Sequence, residues 1–459
     1  MDSNIPVSVI DLFNTALIES GFSGEFHVDY ATRLINASDN SIYEVLPLAV
    51  AQPRTADDLK LIMQLSNTPP FKDLYFCVRG GGTGTNGQSL TDGVIIDVSR
   101  FMTAILDFKP TDQTVTVEPG IILSDLNRFL APHGLFYAPH VSTGDRATIG
   151  GMIATDAAGK GSLIYGKTSD HLLGIQLIMA DGQIIDTLNN STSIILDELV
   201  KNISALLDPA QDEITARFPP LKRPLSGYNI RQCYQNGIFD LNYLIAGSEG
   251  TLGVVSAAKL KLMPLPKCRA LLVVHYSSFL AALEDASFLI QFQPLAVEAI
   301  DEKVQKSAQT LPDWPVFAKW LNSEGLSYIS NFVEFVADSE SELEHKILAI
   351  TQALLAKKAN FVTITDSNQI NQLWSIRSLA VGLSGKIPGT AKPVAFVEDA
   401  IVPPHHLAAF VAELQQELDK RQLTYAMYGH VDVGCIHVRP AMNMQLEQDR
   451  QKIRPITEM

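Results

Sequence analysis

Residues Arg79 to Gly87 read Arg-Gly-Gly-Gly-Thr-Gly-Thr-Asn-Gly, and this loop constrains the fold more than any other stretch of the chain. Glycines at this density weaken a helix or strand, but they allow positive φ and let several backbone N–H groups approach one anion. The loop is anchored on both sides. Leu48 to Ala51 and Leu74 to Val78 read as strands, and Thr55-Ala56-Asp57-Asp58 reads as the cap of a helix through Leu65, so a β–α–β unit runs straight into the glycines. Gly82-x-Gly84-x-x-Gly87 also fits the fingerprint of a doubly wound sheet, which needs a helix directly after it. Six residues separate Gly87 from a strand starting at Val94, and they include the Asp92-Gly93 turn, so the loop joins two strands and that reading is set aside.

A second match fails on the same ground. Gly161 to Thr168 fits the phosphate-loop pattern letter for letter, yet such a loop must follow a buried strand and open a helix. Thr155 to Lys160 ahead of it is loop-like, and His171 to Met179 behind it suits a strand. Two further glycine-rich segments remain, Ala147–Gly159 (ATIGGMIATDAAG) and Gly247–Gly253 (GSEGTLG). Thr83, Thr85, Asn86, Ser142, Thr143 and Thr148 add neutral hydrogen-bonding groups, so the three loops together suit a diphosphate gripped without lysine. Taken singly, each is equally well an ordinary tight turn.

The rest of the pattern is α+β. A helix is expected over Val9–Glu19, and short strands at Val94–Val98, Thr114–Val117, Gly174–Met179 and Gly253–Leu260. Pro264-Leu265-Pro266 disfavours both helix and central strand and marks a boundary. Beyond it come strands at Ala270–His275 and Ser330–Val336, helices at Phe279–Gln291 and Glu340–Leu355, and another helix after Pro403-Pro404. The expected division is an N-terminal helical segment over 1–45, a cofactor domain over 46–264 and a substrate domain over 265–459. With 46% apolar residues in 459, each large part can hold a core. The net charge of −15, with no basic cluster, argues against nucleic acid as a partner. No apolar run approaches the ~20 residues of a membrane span, and no basic-then-apolar leader is visible, which points to the cytoplasm. Cys77, Cys233, Cys268 and Cys435 lie far apart without a C-x-x-C pair, so buried thiols are expected rather than a disulfide, zinc or iron–sulfur framework.

The order RGGGTGTNG, ATIGGMIATDAAG, YGKTSDHLLG and GSEGTLGVVSAA resembles the FAD-linked oxidases of the vanillyl-alcohol oxidase type, from about Ile42 to about Met442. It is most similar to their bacterial flavin dehydrogenases for D-2-hydroxyglutarate and D-lactate, whose longer members continue into an iron–sulfur segment. The resemblance implies a two-lobed FAD-binding domain and an α+β cap domain on an antiparallel sheet. Carried over, Arg79, Gly80, Gly81, Gly82, Thr83, Gly84, Thr85, Asn86 and Gly87 hold the pyrophosphate. Pro139, Ser142, Thr143, Thr148, Gly150 and Gly151 line its other side and the flavin, and Gly253 and Val254 approach the adenine end or the ribityl chain. The first loop has no histidine, so FAD is expected to be non-covalent. His140 is either near the isoalloxazine or an ordinary surface or core residue.

Oxidising a small 2-hydroxy acid requires a hydride acceptor, a carboxylate clamp and a way to acidify the hydroxyl. Residue chemistry and resemblance both nominate Arg377 and Lys392 for the carboxylate, although basic side chains read alone are more often solvated. His430 and His437, in Gly429-His430-Val-Asp-Val-Gly434-Cys435-Ile-His437, resemble a pair that binds a divalent metal such as zinc near the hydroxyl. His430 doubles as the acid–base candidate. The chain departs from the family with Val433-Gly434-Cys435 in place of Asp-Gly-Asn, and with Arg439 in place of an asparagine. A Glu-His pair expected further on is not in the sequence, and Leu446–Met459 reads as a helix cut mid-course, so a C-terminally shortened cap domain lacking the third metal ligand is expected. Three functions stay open: a flavin dehydrogenase, a flavin-carrying piece inert without its missing part, and an oxygen-using oxidase. The electron acceptor and the oligomeric state are not legible; a homodimer is one assembly that stays open.

Overall fold

The computed structural model describes residues 7–188, 194–221, 223, 227–309, 314–321, 329–383 and 389–459. Contacts divide the chain into two compact units: Met1–Ala158, Gly166–Pro220 and Pro224–Leu265 form the first, and Gly159–Tyr165, Leu221–Arg223 and Pro266–Met459 the second. The division at Leu265 falls at the proline pair. Residues set off at 45 in the sequence reading lie in the first unit, because strand Glu25–His27 pairs antiparallel with Ala49–Gln52 and extends its sheet.

The first unit has two lobes. One is a four-stranded sheet ordered Glu25–His27, Ala49–Gln52, Val94–Asp97, Phe76–Arg79, whose last three strands are parallel. Helix Ala56–Ser66 connects Ala49–Gln52 to Phe76–Arg79 and is started by the expected box: Thr55 accepts from Asp58 N while Asp58 accepts from Thr55 N. Asp58 is buried and also receives Ser23 N and Ser23 Oγ, each at 2.8 Å, so one side chain caps the helix and fixes the incoming N-terminal segment. No helix follows Phe76–Arg79 before Val94–Asp97, which the doubly wound reading required. The other lobe is a five-stranded antiparallel sheet in the order Ile105–Lys109, Thr114–Val117, Val254–Lys261, Leu172–Ile178, Ile184–Asp186. Lys167, which would be the phosphate-loop lysine, is buried and paired with Asp156 and Ser169.

The second unit is built on an eight-stranded antiparallel sheet. Its path runs Asn360–Ile364, Cys268–His275, Ser330–Ala337, Ala296–Ile300, Tyr425–His430, Cys435–Met442, Lys392–Pro393, with Val397–Ile401 also paired to Cys435–Met442. The helix expected over Phe279–Gln291 is two, Phe279–Glu284 and Ala286–Ile290, separated at Asp285, whose carboxylate is engaged by Tyr276 Oη at 2.8 Å and by Lys357. The last helix, Glu447–Thr457, ends at its cap Glu458. Among the described residues no helix is long and apolar enough to cross a membrane.

Candidate functional site

In the first unit the glycine loops interlock. A Cβ on Gly80 would stand 2.1 Å from Thr148 Oγ1, and one on Gly81 2.1 Å from the carbonyl oxygen of Arg146, so only hydrogen fits at either position. Thr148 is buried and caps helix Ile149–Ala154, its Oγ1 accepting from Gly151 N at 3.2 Å, while Gly150 N donates to Pro119 O at 2.7 Å. Gly82 sits at φ +60°, in the left-handed region, beside the Arg79 guanidinium. The third loop reaches the far end of the same helix through Gly247 N to Ile153 O (2.9 Å) and Glu249 N to Ala154 O (2.8 Å). The N–H groups of residues 80–85 donate to no acceptor among the described residues. A row of unused donors beside a wall where no side chain fits is the donor set that a diphosphate requires, so the residues present fit the pyrophosphate of FAD.

Not every nominated residue sits in that cradle. The Arg79 guanidinium turns back to Ser38 O (2.8 Å) and Asn36 O (3.4 Å), clamping the loop to the preceding segment. Pro139 is buried, Ser142 exposed and Thr143 half-buried, the last accepting from Arg146 N and Ala147 N at 2.8 Å each. Thr83, Gly84 and Thr85 are half-buried along the loop; Asn86 N is satisfied by Gln88 Oε1 at 3.0 Å, and Gly87, at φ +77°, packs on Tyr43. Gly253 abuts Ile178 O, and Val254 is buried in the core of the first lobe.

In the second unit a polar row crosses one face of the sheet. Direct pairing of Glu298 with His430, Ile300 with Tyr428, Tyr428 with His437 and Ala426 with Arg439 puts all these side chains on one side. Glu298 is fully sequestered, bonded to His430 Nδ1 and, at 3.0 Å, to Arg377 Nε. Burial alone would raise its pKa, but His430 and Arg377 outweigh burial and bring it down to about 2. Burial lowers the pKa of His430, helped by His437 and Arg377 and opposed by Glu298, so at neutral pH the ring is uncharged. A neutral imidazole facing a carboxylate donates from Nδ1, which leaves the lone pair on Nε2. His437 repeats the arrangement, with Nδ1 2.8 Å from Glu398 Oε2 and its ring centroid 5.3 Å from that of His430.

A bulge between Val397 and Ala400, with Asp399 at φ +50°, re-aims two successive carboxylates. Glu398 takes His437 and Arg439 (2.6 Å), and Asp399 takes Cys435 Sγ (3.5 Å) and lies 3.9 Å from Arg223. The donor atoms that converge are those of Asp399, Cys435 and His437, all within 4.8 Å of one another. His430 is not one of these three; its ring centroid lies 5.3 Å from that of His437. Of the two expected carboxylate cations, Arg377 is buried in the cluster and stacks 4.5 Å over Tyr428, whereas Lys392 is exposed on the two-residue edge strand opposite Met442. Sequence reasoning missed Glu298, Glu398 and Asp399. A lone glutamate in the otherwise apolar strand Ala296–Ile300 was the available signal for the first; nothing in the text foretells the bulge that aims the other two.

The family "FAD binding domain" matches residues 47–188, and "FAD linked oxidases, C-terminal domain" matches 265–459. The chain is 39% identical to a D-2-hydroxyglutarate dehydrogenase of Escherichia coli (strain K12), a match covering 95% of this chain and 45% of that relative. It is 38% identical to the Pseudomonas putida protein of the same name (97% and 46%) and 26% identical to glycolate oxidase subunit GlcD of Bacillus subtilis (95% and 82%). It thus spans under half the length of the first two. The expected shortening of the cap domain finds no support in these matches, since the second family runs through residue 459. Among solved structures, an alkyldihydroxyacetonephosphate synthase aligns with a TM-score of 0.72 at 13% identity, covering 97% of this chain and 79% of that one. The 4-ethylphenol oxidase of Gulosibacter chungangensis aligns at 0.70 and 15%, covering 100% and 87%. These likenesses show the fold, a vanillyl-alcohol oxidase type FAD domain with an α+β cap. The chain therefore belongs to the FAD-linked oxidases, carrying their FAD binding domain followed by their C-terminal domain.

Proposed function

We propose that the chain performs the reductive half of a D-2-hydroxy acid dehydrogenase reaction with non-covalent FAD, on a substrate of the 2-hydroxyglutarate or lactate type. The observation that carries the reading is the carboxylate-oriented histidine His430, neutral and presenting Nε2 on a face that also carries Arg377. FAD, when bound, supplies a hydride acceptor at its N5. Residues 80–85 hold its pyrophosphate through backbone N–H groups, with Thr148, Gly150 and Gly151 lining the other side and Gly81 admitting the close approach. Arg377, oriented by Glu298 through Nε, offers its outer nitrogens to the substrate carboxylate; Lys392 adds a second, exposed cation. His430 Nε2 takes the hydroxyl proton as C2 loses its hydride, and Glu298 stabilises the imidazolium that results. In a form loaded with a divalent cation, the same Nε2 of His430 would be a ligand together with that of His437 instead of the proton acceptor, each ring backed by a carboxylate on Nδ1, the support that metal-bound imidazoles commonly have. Asp399 and Cys435 are the donors nearest to His437. Such a cation would lower the pKa of the hydroxyl.

Anaerobic bleaching of the flavin band by a panel of D-2-hydroxy acids tests this. The wild-type chain is expected to bleach, and H430A to bleach about 10²–10⁴-fold more slowly at unchanged FAD content. Equal rates for the two proteins would sink the assignment of His430.

A further inference from the structure

The first glycine loop is held from two sides. Thr148 and the Arg146 carbonyl stand against Gly80 and Gly81 on one, and residues 36–45 lie on the other. That second segment closes on itself through Val45 N to Ala37 O (2.8 Å) and an antiparallel bridge between Ser38 and Glu44. It meets the loop along its whole course. At the start, Arg79 spans Asn36 O and Ser38 O, and a Cβ on Gly82 would stand 2.5 Å from Arg79 Nη2, so the chain winds around the guanidinium. Midway, Asn40 N donates to Gly82 O at 3.2 Å. Past the last glycine, Asp39 Oδ2 accepts from Ser89 Oγ at 2.9 Å while its Oδ1 accepts from Ser41 N at 2.8 Å. Ser41 and Tyr43 lie against Gly87 between these points.

Peptide geometry carries the effect of these bonds to the opposite side. The peptide joining Gly82 to Thr83 is trans, so its C=O and N–H point in opposite directions. Drawing Gly82 O toward Asn40 therefore aims the Thr83 N–H away from residues 36–45, and that N–H donates to no acceptor among the described residues. Donors already aimed at one place bind an anion more tightly than donors that must be ordered when it arrives.

We propose that residues 36–45 are a clip that pre-sets the FAD loop, with Arg79 and Asp39 as its positioning residues. Both act on the pyrophosphate through the backbone of residues 80–85, and neither touches it. This rests on the reading that those residues hold the pyrophosphate, and it gives Arg79 a different role from the direct contact that the resemblance implies. The two roles have opposite signatures. A cation in contact with the anion is replaceable by lysine, and a nearby carboxylate opposes the anion, so its removal would tighten FAD. In a clip, bonds matter and charge does not. An ammonium lacks the planar fork that spans two carbonyls, whereas asparagine at position 39 keeps both bonds, with Oδ1 toward Ser41 N and Nδ2 toward Ser89 Oγ.

Fluorescence titration of FAD against the apoproteins of wild type, R79K, D39A and D39N reads the difference. R79K and D39A are expected to weaken FAD about tenfold, and D39N to stay within about threefold of wild type. R79K equal to wild type, D39A unchanged or tighter, or D39N as weak as D39A overturns the proposal. Should D39A not fold, S89A, which removes only the bond to Asp39, takes its place, and wild-type affinity there overturns it. G81A keeps the underlying reading separate. If G81A weakens FAD and D39A does not, the cradle stands and the clip is rejected; if G81A leaves FAD affinity unchanged, the cradle is misplaced and both readings fall.

Discussion

Asp301 accepts Met427 N at 2.7 Å and Val304 N at 2.8 Å, and still burial raises its carboxyl from 3.8 to about 6, because these bonds and the Lys303 charge offset burial less than His430 and Arg377 offset it at Glu298. The raised value fixes the sign of a pH effect. Between pH 3.8 and about 6 the folded chain keeps a proton that the unfolded chain has released, so stability falls as pH rises through that window and is level above it. The difference amounts to about 2–3 kcal/mol. D301N cannot titrate, so its stability relative to wild type should climb by that amount from pH 4 to pH 7 in urea unfolding; a flat difference would show that Asp301 is not the source. The contrast with Glu298 also explains what was legible. Arg377, His430 and His437 were found in the text because their chemistry is named by their residue types, whereas Glu298 and Glu398 act through whom they touch. The charge states that matter here come from neighbours brought together from residues 298, 377, 398, 430 and 437, a proximity that no local window contains.

Among the elements, the glycine loops give the sharpest test of how a turn makes a cradle. An added methyl at Gly81 meets the backbone of Arg146, which cannot rotate away, while Gly134, at φ +69°, has nothing within 4 Å of the same methyl. G81A is therefore expected to push the first and second loops apart and weaken FAD at least 100-fold, equivalent to about 2.7 kcal/mol. G134A pays only the left-handed backbone penalty of about 1 kcal/mol and should leave FAD binding unchanged. Fluorescence titration of FAD against both apoproteins reads the difference; similar losses in the two would mean that general strain, not cradle shape, governs affinity. The loops and most strands were readable because glycine spacing, alternation and the Thr55 box are local signals, and Thr114–Val117 agrees residue for residue. Asp285, which interrupts the expected long helix, and Asp399, which forms the bulge, were not readable: each takes its conformation from partners distant in sequence.

At the scale of the whole molecule, the chain does not finish one unit before starting the next. Gly159–Tyr165, directly after the second glycine loop, and Leu221–Arg223 belong to the second unit although the first unit's sequence surrounds them. Lys160 shows what the excursion contributes. Its Nζ lies 2.8 Å from Glu334 and 4.3 Å over the ring of Trp374, and Glu334 is a buried carboxylate whose other cation is Arg269, at 2.6 Å. Removing Lys160 leaves Glu334 half-compensated. Losing a partner from a buried pair typically costs 3–5 kcal/mol, and the remaining Arg269 should reduce this to about 2–3 kcal/mol. All three tryptophans, Trp314, Trp320 and Trp374, lie in the second unit, so tryptophan fluorescence reports that unit alone, while flavin release reports the first. K160M is thus expected to lower the urea midpoint seen by tryptophan and leave the midpoint for flavin release in place. If the flavin midpoint moves and the tryptophan midpoint does not, Lys160 stabilises the glycine loop it follows in sequence and not the sheet whose glutamate it meets.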